Sequence, residues 1–220
     1  SARLLQALEF IREPYAGRVV PTGQGALAFS RGVVACLASL KSDVDTRIAG
    51  LLFELPFLDE KAAAQIDAHF GKEIADMVNG IRQLMRLHET AFGQTGAIKN
   101  KNTAAGQIET LRKMTLAMAT DMRVVLIRLT SRLTTLRYFA EQKLENDTTL
   151  RYARESFELY APLANRLGIW QLKWELEDLS FRFLEPDVYK QVARQLDEKR
   201  TLREGFMESL RSQLERDLNH

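Results

Sequence analysis

The residues that could do chemistry in this chain are few and scattered. The sequence has three histidines, His69, His88 and His220, and none stands four residues from another histidine or directly before an aspartate. A protein metal site usually needs three or more convergent His, Asp, Glu or Cys ligands. The position of His69 near a predicted helix end favours an interaction with the negative helix terminus instead. The histidine pattern therefore predicts no metal centre.

Nucleophilic chemistry has no better support in the sequence. The single cysteine, Cys36, excludes an internal disulfide framework. It lies in the apolar run Val33–Leu37, which predicts a buried small hydrophobe in a reducing cytoplasm rather than a nucleophile. No Gly-x-Ser-x-Gly elbow or phosphate-binding loop is present, and Gly23-Gln24-Gly25 is expected to form only a turn.

Paired carboxylates occur in one helical stretch. Glu175, Glu177 and Asp178 flank Trp174 in a pattern typical of an amphipathic helix. Surface or interhelical ion pairs are a better interpretation of them than acid–base catalysis. Residue types and spacing alone therefore indicate a helical domain with no visible active site.

Composition places the chain among ordinary globular proteins. It has 220 residues, of which 45% are hydrophobic and 27% charged, and a net charge of only +2. This balance predicts no direct nucleic-acid binding, and no apolar run reaches the roughly 18 to 20 residues of a membrane span. The chain lacks an initiator Met, and Arg216–His220 looks like a cut end. We expect a fragment of a longer protein.

Helical periodicity dominates the chain, and strand patterns are nearly absent. Leu4, Leu5, Leu8 and Ile11 recur at helical spacing before Pro14. Further helices are expected at about 26–40, from Ser42 to near Glu54, from Asp59, and at about 72–87, 108–119, 122–142, 148–167, 170–184, 186–196 and 202–218. The stretch 88–106 contains three glycines and predicts a mobile loop. The pattern indicates an all-helical bundle.

The last part of the chain differs from the rest in its density of charged residues. Residues 190–211 are dense in charges of both signs, including Asp197-Glu198-Lys199-Arg200. This pattern is typical of a solvated helix face. A connector helix that leads into a following domain is the alternative.

Several long motifs resemble one family. They are Tyr160–Leu179 (YAPLANRLGIWQLKWELEDL), Phe181–Pro186 (FRFLEP), Leu111–Ala119 (LRKMTLAMA) and Asp121–Ile127 (DMRVVLI). The chain resembles the RelA/SpoT homologue family, whose members make and destroy the guanosine tetra- and pentaphosphate alarmones. The resemblance covers essentially the whole chain and is weakest before Gly32.

The resemblance implies an amino-terminal HD-type hydrolase domain, an all-α HD-domain-like multi-helix bundle, over 1–184. Residues 185–220 would be a helical connector toward a synthetase domain. Active members hold manganese with an early His, a His-Asp pair and a later Asp. An ungapped alignment of that pattern places these ligands at Ser30, Phe53, Glu54 and Ser131.

Other functional positions of the family are also replaced. The acidic pair that activates water in active members falls on Phe57 and Leu58, and an Asn one turn beyond the later Asp falls on Thr135. Glu54 is the one carboxylate that remains among these positions. We therefore expect no set of ligands that could hold a metal ion and activate water. The resemblance therefore predicts no catalytic residue, no metal, no cofactor and no bound manganese. Burying the Phe53 ring would contribute about 1.5–3 kcal/mol, and Phe57 and Leu58 are expected to fill the pocket further.

This degenerate pattern resembles the synthetase-only RelA branch. Intact members transfer pyrophosphate from ATP to the 3′ hydroxyl of GTP or GDP on idle ribosomes. The resemblance thus implies a cytoplasmic, non-catalytic regulatory domain. Its partners would be the synthetase domain of the same chain and, for the intact protein, the ribosome.

Two other functions stay open at this point. One is a metal-dependent phosphohydrolase with a rearranged site that uses Glu54 and groups such as His88 or Asp121. The other is a guanine-nucleotide-binding regulatory module. The basic pair that holds the nucleotide in active relatives aligns near Pro21-Thr22, which argues against that contact.

Overall fold

The described residues fold into a bundle of α-helices that contains a π-helical segment. The computed structural model describes residues 1–92 and 121–218. The elements are α1 (Ala2–Arg12), α2 (Ala26–Ser39), α3 (Val44–Leu52), α4 (Leu55–Leu58), α5 (Glu60–Ala63), α6 (Ile66–Phe70), α7 (Lys72–Phe92), α8 (Met122–Glu141), α9 (Asp147–Glu155), the π-helical segment (Ser156–Tyr160), α10 (Ala161–Arg166), α11 (Trp170–Leu184) and α12 (Pro186–Leu218). Within these ranges, extended pairing is limited to an isolated bridge between Val19 and Gly25. The predicted all-helical bundle is confirmed.

Short polar side chains set where several helices begin. Asp43 accepts a hydrogen bond from the Thr46 amide at 2.8 Å before α3, and Asp59 accepts one from the Ala62 amide at 3.0 Å before α5. Asp121 caps α8 in the same way. Such caps satisfy amides that have no partner within the helix, and each stabilises it by about 1 kcal/mol. The boundaries of α3 and α8 are thus readable from the sequence.

The buried residues form two clusters that meet at α8. The first joins α1, α2, α3 and α7, with Ile11, Leu37 and Ile48 at its centre. The second joins α8 to the helices from α9 to α11, around Leu133 and Leu176. Helix α2 packs against both α3 and α8. The face shared by α2, α3 and α8 therefore lies between the two clusters.

Two glycines allow these helices to approach closely. A Cβ atom added at Gly32 in α2 would lie 2.7 Å from Cγ2 of Thr134 in α8. A Cβ atom added at Gly50 in α3 would lie 2.6 Å from Cδ1 of Leu37 in α2. Both distances are too short for two carbon atoms, so a Cβ atom at either position would force the facing side chain, Thr134 or Leu37, to move.

Three sequence predictions of helix boundaries are wrong. Helix α7 continues through His88 to Phe92, because the first glycine after Gly80 is Gly93. The predicted break at 197–201 is part of α12, since this stretch has no proline or glycine and charges of both signs support a helix. The single helix predicted at 148–167 contains the π-helical segment. The rest of the predicted loop, 93–106, and the predicted helix 108–119 lie outside the described residues.

Across the described residues, no helix is both long enough and apolar enough to cross a bilayer. The division between a domain at 1–184 and a connector at 185–220 stays a prediction. Helix α12 has 33 residues and packs against α11, where the rings of Phe181 and Tyr189 meet at 6.0 Å.

Candidate functional site

The four aligned ligand positions lie on elements that pack against one another. Ser30 is in α2, Phe53 and Glu54 form the turn after α3, and Ser131 is in α8. Helices α2, α3 and α8 make mutual contacts. All four side chains are buried. We call this set of four residues the degenerate site.

Phe53 is a core residue. Its side chain is fully buried and belongs to the first cluster. Its ring meets that of Phe29 from α2 edge to face, with centroids 5.9 Å apart and planes at 62°. This geometry is favourable for aromatic pairs beyond the area that they bury. An aromatic ring therefore stands at the position aligned with the metal-binding histidine.

Glu54 is a buried carboxyl group with weak charge compensation. Only 4% of the residue is exposed, and this burial raises the pKa of Glu54 to about 7, against the opposing effect of Arg128. The Tyr15 hydroxyl lies in the same environment and donates to the Leu51 carbonyl at 2.9 Å. Burial, and then the charge of Glu54, raise the pKa of Tyr15. Near neutral pH, a large fraction of Glu54 is thus protonated and uncharged.

Two hydroxyl groups at or near the site, those of Ser131 and Thr135, donate hydrogen bonds to backbone carbonyls of their own helix. Ser131 donates to the Arg128 carbonyl at 2.8 Å, and Thr135 donates to the Ser131 carbonyl at 3.2 Å. Such bonds within one helix are the usual way for Ser and Thr to satisfy a buried hydroxyl. The Ser30 hydroxyl is buried, and its interaction with the Tyr15 hydroxyl acts against the rise in the pKa of Tyr15.

These residues do not fit a manganese ion. Manganese prefers carboxylate and imidazole ligands, whereas the degenerate site offers two neutral hydroxyls, a phenyl ring and one carboxyl of raised pKa. In the described part of the chain, no group of three or more His, Cys, Asp or Glu residues could hold a metal. Arg128 adds a positive charge close by, since its Nη1 is 3.5 Å from Ser131 Oγ.

One expectation about this pocket is wrong. Phe57 was expected to help fill it, but 44% of Phe57 is exposed. Helix α4 is a single turn in which Leu55 points into the core, so a side chain two residues later points away from it. Leu58, by contrast, is half-buried and packs against the first cluster.

Asp121, one of the groups proposed for a rearranged metal site, is engaged away from Glu54. Asp121 is held by Arg123, whose Nε donates to both carboxylate oxygens at 3.0 and 2.9 Å. It lies in a separate cleft of about 600 Å³ with Glu73 of α7. His88 lies within helix α7 and not in the predicted loop. His69 packs its ring 5.0 Å from that of Phe10, and His220 lies outside the described residues.

The loop before α2 has polar atoms that no described residue satisfies. These atoms are Oγ1 of Thr22 and Oε1 of Gln24, which are both buried. Gly23 between them has φ +87° and its carbonyl oxygen lies 3.4 Å from the Tyr138 hydroxyl, so it forms the expected turn. The loop thus offers hydrogen-bonding groups without the basic pair of active relatives.

The sequence interpretation missed a buried arginine network beside the site. The Arg132 guanidinium is almost fully buried and donates to Ser156 Oγ at 2.9 Å, to the Tyr152 carbonyl at 3.0 Å and to Glu155. It also lies over the rings of Tyr152 and Tyr160, at 3.9 and 4.8 Å from their centroids. Its partners are 20 or more positions away along the chain, so no local pattern could reveal them. They hold the π-helical segment against α8.

The other chemistry-bearing residues have structural roles, as the sequence predicts. Cys36 is buried, and burial raises its pKa to about 11. Glu175 accepts two hydrogen bonds from Arg137 of α8 at 2.5 and 2.7 Å, which ties α11 to α8. Glu177 pairs with Lys173 one turn earlier. None of these groups forms an acid–base pair.

Comparison with known proteins gives a consistent result. The family description "HD domain" matches residues 7–170. A probable guanosine-3′,5′-bis(diphosphate) 3′-pyrophosphohydrolase of Synechocystis is 35% identical over 96% of this chain and 26% of its own length. A GTP pyrophosphokinase of Escherichia coli is 37% identical over 83% of this chain and 24% of its own. A guanosine-3′,5′-bis(diphosphate) 3′-pyrophosphohydrolase of Vibrio cholerae is 32% identical over 96% and 28%.

The chain spans about a quarter of the length of these relatives and matches their amino-terminal part. Both hydrolase and synthetase names occur among them, so the family follows from the comparison and the activity does not. The HD-type bundle, the matching relatives and the motifs of α8, α10 and α11 agree. The chain belongs to the HD domains of the RelA/SpoT family.

Proposed function

We propose that this chain is a catalytically inactive HD domain with a structural and regulatory role in an alarmone enzyme. The observation that carries the proposal is the burial of the Phe53 ring at a position aligned with a metal ligand, beside a single carboxyl group. A metal-dependent hydrolase needs a bound ion to lower the pKa of water. The degenerate site offers no set of ligands for one.

The fold around the site supports a retained structural role. The helices that carry the degenerate site are joined by two close contacts at glycines, by the Phe29–Phe53 pair and by the Arg132 network. The intact protein is proposed to transfer pyrophosphate from ATP to GTP or GDP through a separate synthetase domain, with the ribosome as a partner in the cytoplasm. This domain would bias that synthetase between more and less active states.

Two assays test the proposal. The purified domain is incubated with Mn²⁺ and guanosine tetraphosphate, and released pyrophosphate is measured; we expect none above the protein-free rate. Synthesis by the intact protein is then compared with and without the HD domain, with and without ribosomes. Hydrolysis in the first assay, or unchanged synthesis in the second, would overturn the proposal.

A second candidate function is a guanine-nucleotide-binding module. The unpartnered Thr22 Oγ1 and Gln24 Oε1 favour it, since buried polar atoms normally have partners. The absence of a basic pair at Pro21-Thr22 weighs against it. Calorimetry with guanosine tetraphosphate tests this second function directly, since it requires a binding heat. A rearranged metal hydrolase is disfavoured by the separation of Asp121 from Glu54.

A further inference from the structure

Both tryptophans of the chain lie on α11 with much of their surface exposed. Trp170 is 54% exposed and Trp174 is 64% exposed. They stand four residues apart in one helix, so their side chains share a face. Tryptophan is highly buried on average in folded proteins, and a pair of them on one helix face indicates a surface made for a contact. We call these two residues the tryptophan face.

Helix α12 begins beside α11 and turns back along it. A single residue, Glu185, separates the two helices, and its backbone is not helical, with φ −133° and ψ 61°. On the far side of this residue, the Tyr189 ring meets the Phe181 ring at 6.0 Å, and the Tyr189 hydroxyl donates to the Asp178 carboxylate at 3.5 Å. The two helices therefore run back from Glu185 in opposite directions and touch close to it.

Beyond Tyr189 the two helices diverge. Each residue from Lys190 to Asp197 is exposed, and Leu196 is 63% exposed. Leu196 and Trp174 stand the same number of residues from Glu185, which corresponds to about 16 Å along either helix. Residues at equal distances from the turn lie opposite each other in an antiparallel pair of helices. Leu196 and Trp174 thus stand at the same level of two helices that have moved apart.

These two side chains also lie on the facing sides of their helices. In an α-helix, a spacing of seven residues returns a side chain to within about 20° of the same direction. Leu196 follows Tyr189 at this spacing, and Trp174 precedes Phe181 at the same spacing. Because the rings of Tyr189 and Phe181 are in contact, Leu196 and Trp174 point into the wedge between the two helices. The wedge is therefore lined by apolar groups on both sides.

We propose that α11 and α12 form a hinged pair that closes about Glu185, with Leu196 packing against the tryptophan face. Closing changes the backbone angles of one exposed residue and keeps the Phe181–Tyr189 contact as its pivot. Burial of apolar surface drives the closing, and the freedom of the projecting helix opposes it. The hinge sets the direction in which α12 leaves the bundle. It does not depend on whether the degenerate site is active.

The two tryptophans make the closing measurable, because contact with a tryptophan ring quenches the emission of a bimane label. The label is attached to Lys199→Cys, an exposed position that is nearly level with Trp170 and lies beside it in the closed form. The matched control is a label on Arg211→Cys, which lies about 16 Å beyond the level of Trp170. Cys36 is buried with its pKa raised to about 11 and reacts slowly, which gives a low background.

We expect two emission lifetimes for the label at position 199, a short one from the closed form and a long one from the open form, and only the long one at position 211. Replacing Trp170 and Trp174 together by Phe removes the quencher, so the short component should disappear. Leu196→Glu removes the packing and should reduce the short component by about twofold or more. All three replaced side chains are exposed, so circular dichroism should show unchanged helix content in both variants.

Three results would overturn the inference. A single lifetime at position 199, whether long or short, would mean that the two helices are fixed open or fixed closed. A short component that shrinks on dilution would mean that a second copy of the chain covers the tryptophan face. A short component that Leu196→Glu leaves unchanged would mean that the closing does not use the proposed contact.

Discussion

The rings of Phe29 and Phe53 meet edge to face, 5.9 Å apart, and join α2 to the end of α3. This contact fills the position that the family alignment assigns to a metal-binding histidine. It changes the role of the position from chemistry to packing. The stability of the domain should therefore depend on residues that would serve catalysis in an active relative.

Replacing Phe53 by alanine should lower the free energy of unfolding by about 3–5 kcal/mol, because it removes a fully buried ring. The matched control is Phe57→Ala, four residues later. Phe57 is exposed, so this change should cost less than about 1 kcal/mol. Urea unfolding of both variants gives the comparison. Equal losses of unfolding free energy in the two variants would show that the Phe53 ring does not stabilise the core.

Glu54 should make the domain less stable as the pH rises. Its pKa is raised in the folded protein to about 7 from 4.5, so the folded state holds its proton more tightly than the unfolded state. The unfolding free energy should therefore fall by about 3 kcal/mol in total between about pH 4.5 and 7, and stay low above that range. Glu54→Gln removes this dependence.

The measurement is the urea midpoint of wild type and Glu54→Gln at pH 5 and pH 8. We expect similar midpoints at pH 5 and a more stable variant at pH 8. A variant that is less stable than wild type at pH 8 would mean that charged Glu54 has a strong partner, contrary to the weak compensation by Arg128.

Arg132→Met should lower the unfolding free energy by about 3–5 kcal/mol, since it removes a buried guanidinium that donates to Ser156 Oγ, to the Tyr152 carbonyl and to Glu155. The control is Arg211→Met, because Arg211 makes an exposed pair with Glu215 that contributes little. Hydrogen exchange in the π-helical segment should rise only in the first variant. Unchanged hydrogen exchange in the π-helical segment would show that Arg132 does not stabilise that segment.

Gly32→Ala tests the close contact between α2 and α8. Alanine favours a helix over glycine by about 1 kcal/mol, and Ala35→Gly in the same helix measures that preference at an exposed position. The added Cβ would meet the methyl group of Thr134, whose hydroxyl donates to the Thr130 carbonyl and limits rotation. We expect Gly32→Ala to destabilise the domain by about 1–3 kcal/mol. A gain in thermal midpoint would contradict the contact.

Local signals in the sequence predicted most of the fold. The helices predicted from Ser42 and from about residue 122 begin close to the observed starts of α3 and α8, and apolar spacing gave the length of α11. The prediction of a break within α12 was wrong. A dense run of charged residues resembles a loop, but it supports a helix when positive and negative charges alternate. The prediction that Phe57 fills the pocket was wrong because the packing of the neighbouring residues decides which way a side chain points in a single-turn helix.

The candidate site was predictable only in part. Alignment with the family located Ser30, Phe53, Glu54 and Ser131, and the structure buries all four. Tyr15, Arg128 and Arg132 carried no local signal, because their partners are distant in the chain. Their contribution is electrostatic and depends on burial, which periodicity does not reveal.

The most direct test of the central claim is the manganese content of the purified domain. The domain is equilibrated with Mn²⁺, and free ion is measured by electron paramagnetic resonance, with a hydrolase relative as the positive control. We predict no stoichiometric binding, and no change on Glu54→Gln. One tightly bound manganese per chain, lost in Glu54→Gln, would contradict the account.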